Sequence, residues 1–318
     1  MRTAHALMSV ARPALLAALV ALATPAGAQD LAVYKGAGCE GKPRIAGFEQ
    51  WLGRPIDRVV DFLARDSWQK MVDSSRWISG CWRGAPYALA LSVPMLPNGK
   101  DNTLRAGAEG AYDRYFQEIA RILVADGHAG AVIRLGWEFN GGWYPWAAKK
   151  DPKAWVAFWQ RIVTTMRDVP GADFKFDWNP TLGWQQVPSD QVYPGDAYVD
   201  IIGLDVYNQT WTKGVKTPEQ RWDDLMNQSF GLKWHADFAR KHGKPMSFAE
   251  WGTGTRPDGH GGGDDPLFVR NMAAWIRAHP VLYQGYWDYP AHDFNAEVSR
   301  GKLPEAGAEL RRQFGRAG

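Results

Sequence analysis

The chain has 318 residues, 45% of them hydrophobic and 22% charged, with a formal net charge of +3. This is a globular composition, neither disordered nor collagenous. The first 28 residues hold two arginines and no acid, so the remainder carries only +3 − 2 = +1, too weak a field to recruit nucleic acid or an anionic membrane.

Met1 to Ala28 places Arg2 and Arg12 ahead of the apolar run Ala14 to Ala23, and ends in Ala26-Gly27-Ala28, a small-x-small cleavage site. The pattern predicts a signal peptide over residues 1–28 and a secreted or periplasmic mature chain from Gln29. The run is about half of the ~20 apolar residues that span a bilayer, which argues against an anchor. Once the signal is removed, no membrane association is expected.

Short β-rich runs then alternate with helical patterns. The predicted strands are Leu31–Tyr34, Arg58–Phe62, Tyr87–Val93, Ala131–Trp137, Phe174–Trp178, Val199–Val206, Pro245–Ala249 and Leu282–Trp287. After the first, Gly36 to Gly41 matches GxGxxG, but it leads to Lys42-Pro43 and lacks the acidic residue that would hold a ribose, so a turn is the better reading. Export makes Cys39 and Cys81 a candidate disulfide, although chain order puts them at nominally opposite ends of a barrel. Tyr112, Tyr115, Phe116, Ile119, Ile122 and Leu123 recur at helical spacing, as do Trp155, Phe158, Trp159, Ile162, Val163 and Met166. Asp151-Pro152 marks the start of the second of these helices. Eight βα units without a dividing linker predict an α/β fold, a single-domain (β/α)8 TIM barrel over residues 29–318.

Chemistry in such a barrel sits where strands end, and two of those positions are glutamates. The fourth strand delivers Glu138 and the seventh delivers Glu250, which face each other across the mouth. Two carboxyls flanking one bond are what glycoside hydrolysis needs. A Glu packed on indole has its neutral form favoured, whereas a hydrogen-bonded Glu stays ionised. On that basis Glu138 is read as acid/base and Glu250 as nucleophile.

With Arg134 four residues before Glu138, then Asn140-Gly141, Trp143 and Trp146, and with Asp205-Val206-Tyr207 ending strand six, the sequence resembles glycoside hydrolase family 26, β-mannanase-like members of a clan of (β/α)8 retaining glycosidases. The resemblance covers the mature chain. It implies that Tyr207 hydrogen-bonds the nucleophile and that Trp287 floors the catalytic subsite. The chain departs from the family at Trp137, where mannan-cleaving members commonly carry His and the wider clan Asn.

Eight tryptophans fall at or just after strand ends: Trp137, Trp143, Trp146, Trp178, Trp184, Trp211, Trp251 and Trp287. Pyranose faces stack on indole, and Trp143 and Trp287 are the expected platforms. Asn179 could contact a sugar hydroxyl or begin a turn; Asp205 could do so or orient Arg134. The stretch 254–265 reads as a flexible excursion over the mouth. Histidines lack metal spacing and no GxSxG elbow is present, so no cofactor and no catalytic metal are expected.

The resulting expectation is an exported, monomeric, retaining endo-β-glycoside hydrolase acting on a β-linked polysaccharide: β-mannan, β-glucan, β-xylan or a bacterial exopolysaccharide. Its carboxyl groups would stand ~5 to 5.5 Å apart for retention, against ~6.5 to 9.5 Å for inversion. The rivals are a noncatalytic glycan-binding barrel and a transglycosylase using the same pair.

Overall fold

A computed structural model describes residues 29–316. The predicted signal peptide lies outside them. Nine strands form one sheet: β1 (Asp30–Tyr34), β2 (Arg58–Phe62), β3 (Ala88–Val93), β4 (Val132–Leu135), β5 (Lys175–Trp178), β6 (Ile201–Gly203), β7 (Val206–Tyr207), β8 (Met246–Gly252) and β9 (Val281–Trp287). All pairings are parallel, and β1 joins β9 while β6 joins β8, so the sheet closes. The predicted sixth strand is split: Leu204 and Asp205 separate β6 from β7, and both pieces pair with β8. The result is an eight-stranded (β/α)8 barrel.

Helices α1 (Gly38–Leu52), α2 (Trp68–Trp82), α3 (Leu104–Ala108), α4 (Asp113–Ala125), α5 (Pro152–Arg167), α6 (Pro218–Asn227), α7 (Leu232–His242), α8 (Pro266–Ala278) and α9 (Pro304–Phe314) connect and surround the strands. The Asp151-Pro152 start is realised: the Asp151 side chain accepts from the Ala154 amide at 3.1 Å, and Pro152 occupies the first turn, where a missing N–H costs nothing. Trp155, Phe158, Trp159, Ile162 and Val163 then point at the sheet and are buried. Each such side chain contributes roughly 1.5–3 kcal/mol of burial.

Residues pointing into the barrel alternate with these. Ala32, Val60, Ala90, Val132, Ile201, Ala249 and Tyr283 form the inner apolar cluster. Small inner residues leave room above it for longer polar side chains, chiefly Arg134 and Asp177. Asp177 accepts from Ser247 Oγ and from the Tyr283 hydroxyl, each at 2.6 Å.

One correction and one expected pairing concern the first βα units. Helix α1 begins at Gly38, ahead of Pro43, so the glycine-rich stretch does run into a helix. Cys39 and Cys81 are disulfide-bonded, with Cα atoms 5.1 Å apart. They meet because the start of α1 and the end of α2 share one acceptor. Both the Gly38 amide and Trp82 Nε1 donate to Asp61 Oδ2, each at 2.8 Å.

Candidate active site

Glu250 lies within β8, and the strand carries an extra residue there. Against β9 the register runs Phe248↔Gln284 and then Trp251↔Tyr286; against the sixth-strand pieces it runs Gly203↔Ser247 and then Val206↔Trp251. Both neighbours are therefore one residue short across Ala249-Glu250. Such a bulge re-aims a side chain. Gly285 lies opposite, where a Cβ would collide with the Ala249 carbonyl.

Glu138 is delivered differently. Strand β4 ends at Leu135, and Gly136 (φ 56°) and Glu138 (φ 51°) both adopt left-handed backbone. For a glutamate this conformation is strained, and strain of this kind is held only where surrounding contacts enforce it. The Glu138 amide donates to the Asn179 carbonyl at 2.7 Å.

Arg134, fully buried, links the elements. Its Nε donates to Asn179 Oδ1 at 2.5 Å and its Nη1 to Ser92 Oγ at 3.1 Å; Nη2 pairs with Asp205, and Nη1 lies 2.6 Å from Glu250 Oε1. Glu250 Oε2 accepts from the Tyr207 hydroxyl at 2.5 Å. Glu250 thus has a cation on one oxygen and a phenol on the other.

Among the described residues no cation forms an ion pair with the Glu138 carboxyl. It accepts from Trp143 Nε1 at 2.9 Å. Burial, reinforced by the charge of Glu250, raises its pKa from 4.5 to about 7, against the opposing pull of Arg134 and the Trp143 hydrogen bond. Near neutral pH the site can hold one carboxylic acid beside one ion-paired carboxylate. Asp205 is also driven upward, by burial first and opposed by Arg134.

Two grooves are lined by the hydrogen-bond partners of this pair, Trp143 in one and Tyr207 in the other. One, of about 760 Å³, is lined by Asn98, Asn102, Trp143, Tyr144 and Pro145 among others. The second, of about 320 Å³, includes Thr181, Trp184, Asp205, Tyr207 and Trp211. Among the described residues no group of three His, Cys, Asp or Glu is placed to hold a metal, and no helix is long and apolar enough to cross a membrane.

Residues 105–228 match the sequence model of Glycosyl hydrolase family 26. Over that stretch the chain is similar to family 26 glycoside hydrolases. It is 27% identical over 206 residues to Endoglucanase H of Acetivibrio thermocellus, an alignment that takes in 58% of this chain but only 21% of that protein's length. In fold it is similar to an endo-β-1,4-mannanase of Cellulomonas fimi (TM-score 0.63, 20% identity, 89% of this chain and 70% of that one). It is likewise similar to the catalytic domain of a family 26 endo-β-1,4-mannanase from Bacillus sp. JAMB-750 (TM-score 0.62, 19% identity, 91% and 87%).

The structure gathers Arg134, Glu138, Asn179, Asp205, Tyr207 and Glu250 into one hydrogen-bonded set. Asn179 spends its carbonyl oxygen on Arg134 and its amide on the Pro180 carbonyl, at 3.0 Å. Asn140 is buried and clamps Thr181 through both ends of its amide, at 2.8 and 2.9 Å, so it joins two loops. Trp143 is 51% exposed. Trp287 is partly exposed and stacks on Tyr34, with centroids 4.5 Å apart and planes 14° off parallel.

Other aromatics lie elsewhere than their position in the sequence suggests. Trp146 has no exposed surface; its Nε1 donates to the Trp137 carbonyl at 2.9 Å, and it packs beneath Trp137 and Tyr144. Direct sugar contact by Trp146 is ruled out in this conformation. Trp178 and Trp251 are likewise fully buried, and Trp137 nearly so, whereas Trp184 and Trp211 are exposed. The 254–265 stretch is tied down: Gly262 donates to the Asn208 carbonyl, Thr253 Oγ1 to the Gly263 carbonyl, and His260 stacks on Trp211. Sequence reasoning passed over Ser92, a lone polar residue in the run Ala88–Val93, and Tyr144, which lies inside the aromatic cluster it quoted.

Proposed function

We propose that this chain cleaves an internal linkage of a β-linked polysaccharide with net retention, by double displacement. The observation that carries the reading is the unequal environment of the two glutamates. Glu250 has the Arg134 guanidinium on one oxygen and the Tyr207 hydroxyl on the other, contacts that suit a nucleophilic carboxylate. Glu138, raised to about 7, keeps the proton that a leaving glycosidic oxygen requires.

In the first step the Glu250 carboxylate attacks the anomeric carbon while Glu138 protonates the departing oxygen. In the second, Glu138, now a carboxylate, takes a proton from water as that water displaces Glu250 from the sugar. The two grooves and the exposed Trp143, Trp184 and Trp211 favour an extended chain over a single sugar. The names of the similar proteins point to β-1,4-mannan or β-glucan, with β-xylan and exopolysaccharides alongside them. Export behind a signal peptide over residues 1–28 and action as a monomer without a cofactor complete the reading.

The test is product release from a β-mannan, β-glucan, β-xylan and exopolysaccharide panel by wild type, Glu138→Gln and Glu250→Gln, with the anomeric configuration of the first product followed by NMR. Retention with both variants inactive is expected. Inversion, or equal cleavage by all three proteins, would remove the nucleophile assignment. Binding of a glycan without cleavage would favour a noncatalytic barrel, and sugar-to-sugar transfer products a transglycosylase.

A further inference from the structure

Trp137 stands directly before Glu138, yet only 4% of it is exposed, and its one polar atom, Nε1, donates to the Tyr144 hydroxyl at 3.0 Å. A phenol has one proton to give and two lone pairs to accept with. Trp137 occupies the accepting side, and among the described residues nothing accepts the Tyr144 proton.

The ring is fixed from several directions. Trp146 stacks on it at 4.4 Å and 11°, Trp137 meets it edge-on at 5.1 Å, and the Arg65 guanidinium lies over it at 5.1 Å. Trp143, the partner of Glu138, stands edge-on at 6.4 Å. Tyr144 is partly exposed and lines the larger groove together with Trp143. Burial, with the charges of Glu138 and Glu250 behind it, drives the phenol pKa far upward, so the proton stays on.

We propose that the Tyr144 hydroxyl donates a hydrogen bond to a hydroxyl of the sugar unit lying in the groove beside Glu138, which makes Tyr144 a specificity-determining residue. Trp137 serves it as a positioning residue by orienting that donor. The proposal rests on the glycosidase reading above. A preset donor of this kind favours a sugar with a hydroxyl at the right place and orientation, because a sugar lacking it leaves the phenol unpaired.

The experiment compares wild type and Tyr144→Phe on oligosaccharides of whichever β-glycan wild type cleaves, and on a series of monodeoxy analogues. For the variant, kcat/KM should fall roughly 10- to 100-fold on the parent sugar, with an unchanged thermal midpoint. One monodeoxy analogue should lower wild type to the level of the variant, and the variant should lose nothing more on it. Equal kcat/KM for the two proteins, or a Tyr144→Phe penalty identical on every analogue, would overturn the proposal. If wild type cleaves none of the glycans, the glycosidase reading itself fails and the proposal falls with it.

Discussion

Trp143 donates its indole proton to Glu138 Oε2 at 2.9 Å, so an exposed aromatic surface and a proton-carrying carboxyl are joined by one hydrogen bond. The alkaline limb of kcat/KM should therefore fall at about pH 7, where Glu138 loses its proton. The indole bond favours the ionised form, so Trp143→Phe should move the limb to higher pH. It should also cost roughly 10-fold in kcat/KM through the weaker platform. A pH–rate profile for both proteins checks this, and a limb that stays put or moves down would show that the indole does not tune Glu138.

Stability should carry the same signature. The Glu138 carboxyl titrates near 4.5 when unfolded and about 7 when folded, so its favourable contribution is whole below about 4.5 and is lost as pH rises through 7. A glutamine does not titrate. Glu138→Gln should thus gain on wild type between those two pH values, by a few degrees in thermal midpoint, and hold a constant lead above them. Melting curves from pH 4 to 8 decide it; a lead that shrinks with rising pH would contradict the assignment.

Arg134 is the costliest position to change. Arg134→Lys keeps a charge but loses the planar fork that reaches Ser92, Asn179, Asp205 and Glu250 together. We expect a loss of ~3 kcal/mol in stability and at least ~100-fold in kcat. Denaturant unfolding and single-turnover kinetics measure the two separately. A lysine variant with near-normal kcat would show that Glu250 needs no fork to be held.

The disulfide closes a separation of 42 residues, which corresponds to ~4 kcal/mol of denatured-state restriction. The Cys39→Ser/Cys81→Ser double variant should lose stability on that scale. It should keep its kcat at 25 °C, because neither cysteine contacts the set around Arg134. A fall in kcat without unfolding would reveal a link between Asp61 and the mouth.

All eight barrel strands were legible from β-rich runs, and with them the places of Glu138 and Glu250, because strand ends in a parallel barrel can be counted along the chain; Arg134 and Tyr207 entered through the resemblance to family 26. Two things were not. The bulge at Ala249-Glu250 is a register slip against two neighbours, and one strand's sequence carries no mark of it. The depth of Trp146, Trp178 and Trp251 depends on how loops fold back over strand ends, so proximity to a strand end overstated their access to sugar. The Cys39–Cys81 pairing was named from the sequence and is present, although chain order alone seemed to separate the two. The shared acceptor Asp61 brings them together, and it lies between them in sequence as one more residue of a β-rich run.

The partners of Arg134 are spread over nearly the whole barrel: Ser92 on β3, Asn179 after β5, Asp205 between β6 and β7, and Glu250 on β8. During synthesis the arginine leaves the ribosome 116 residues ahead of Glu250. Burying its guanidinium before Asp205 and Glu250 arrive would cost several kcal/mol, so until then the side chain is better left in water. The early strands therefore gain nothing from closing over Arg134 before the late strands arrive. The arginine's final packing waits for β8, and the residue that aligns the chemistry also ties the early half of the barrel to the late half.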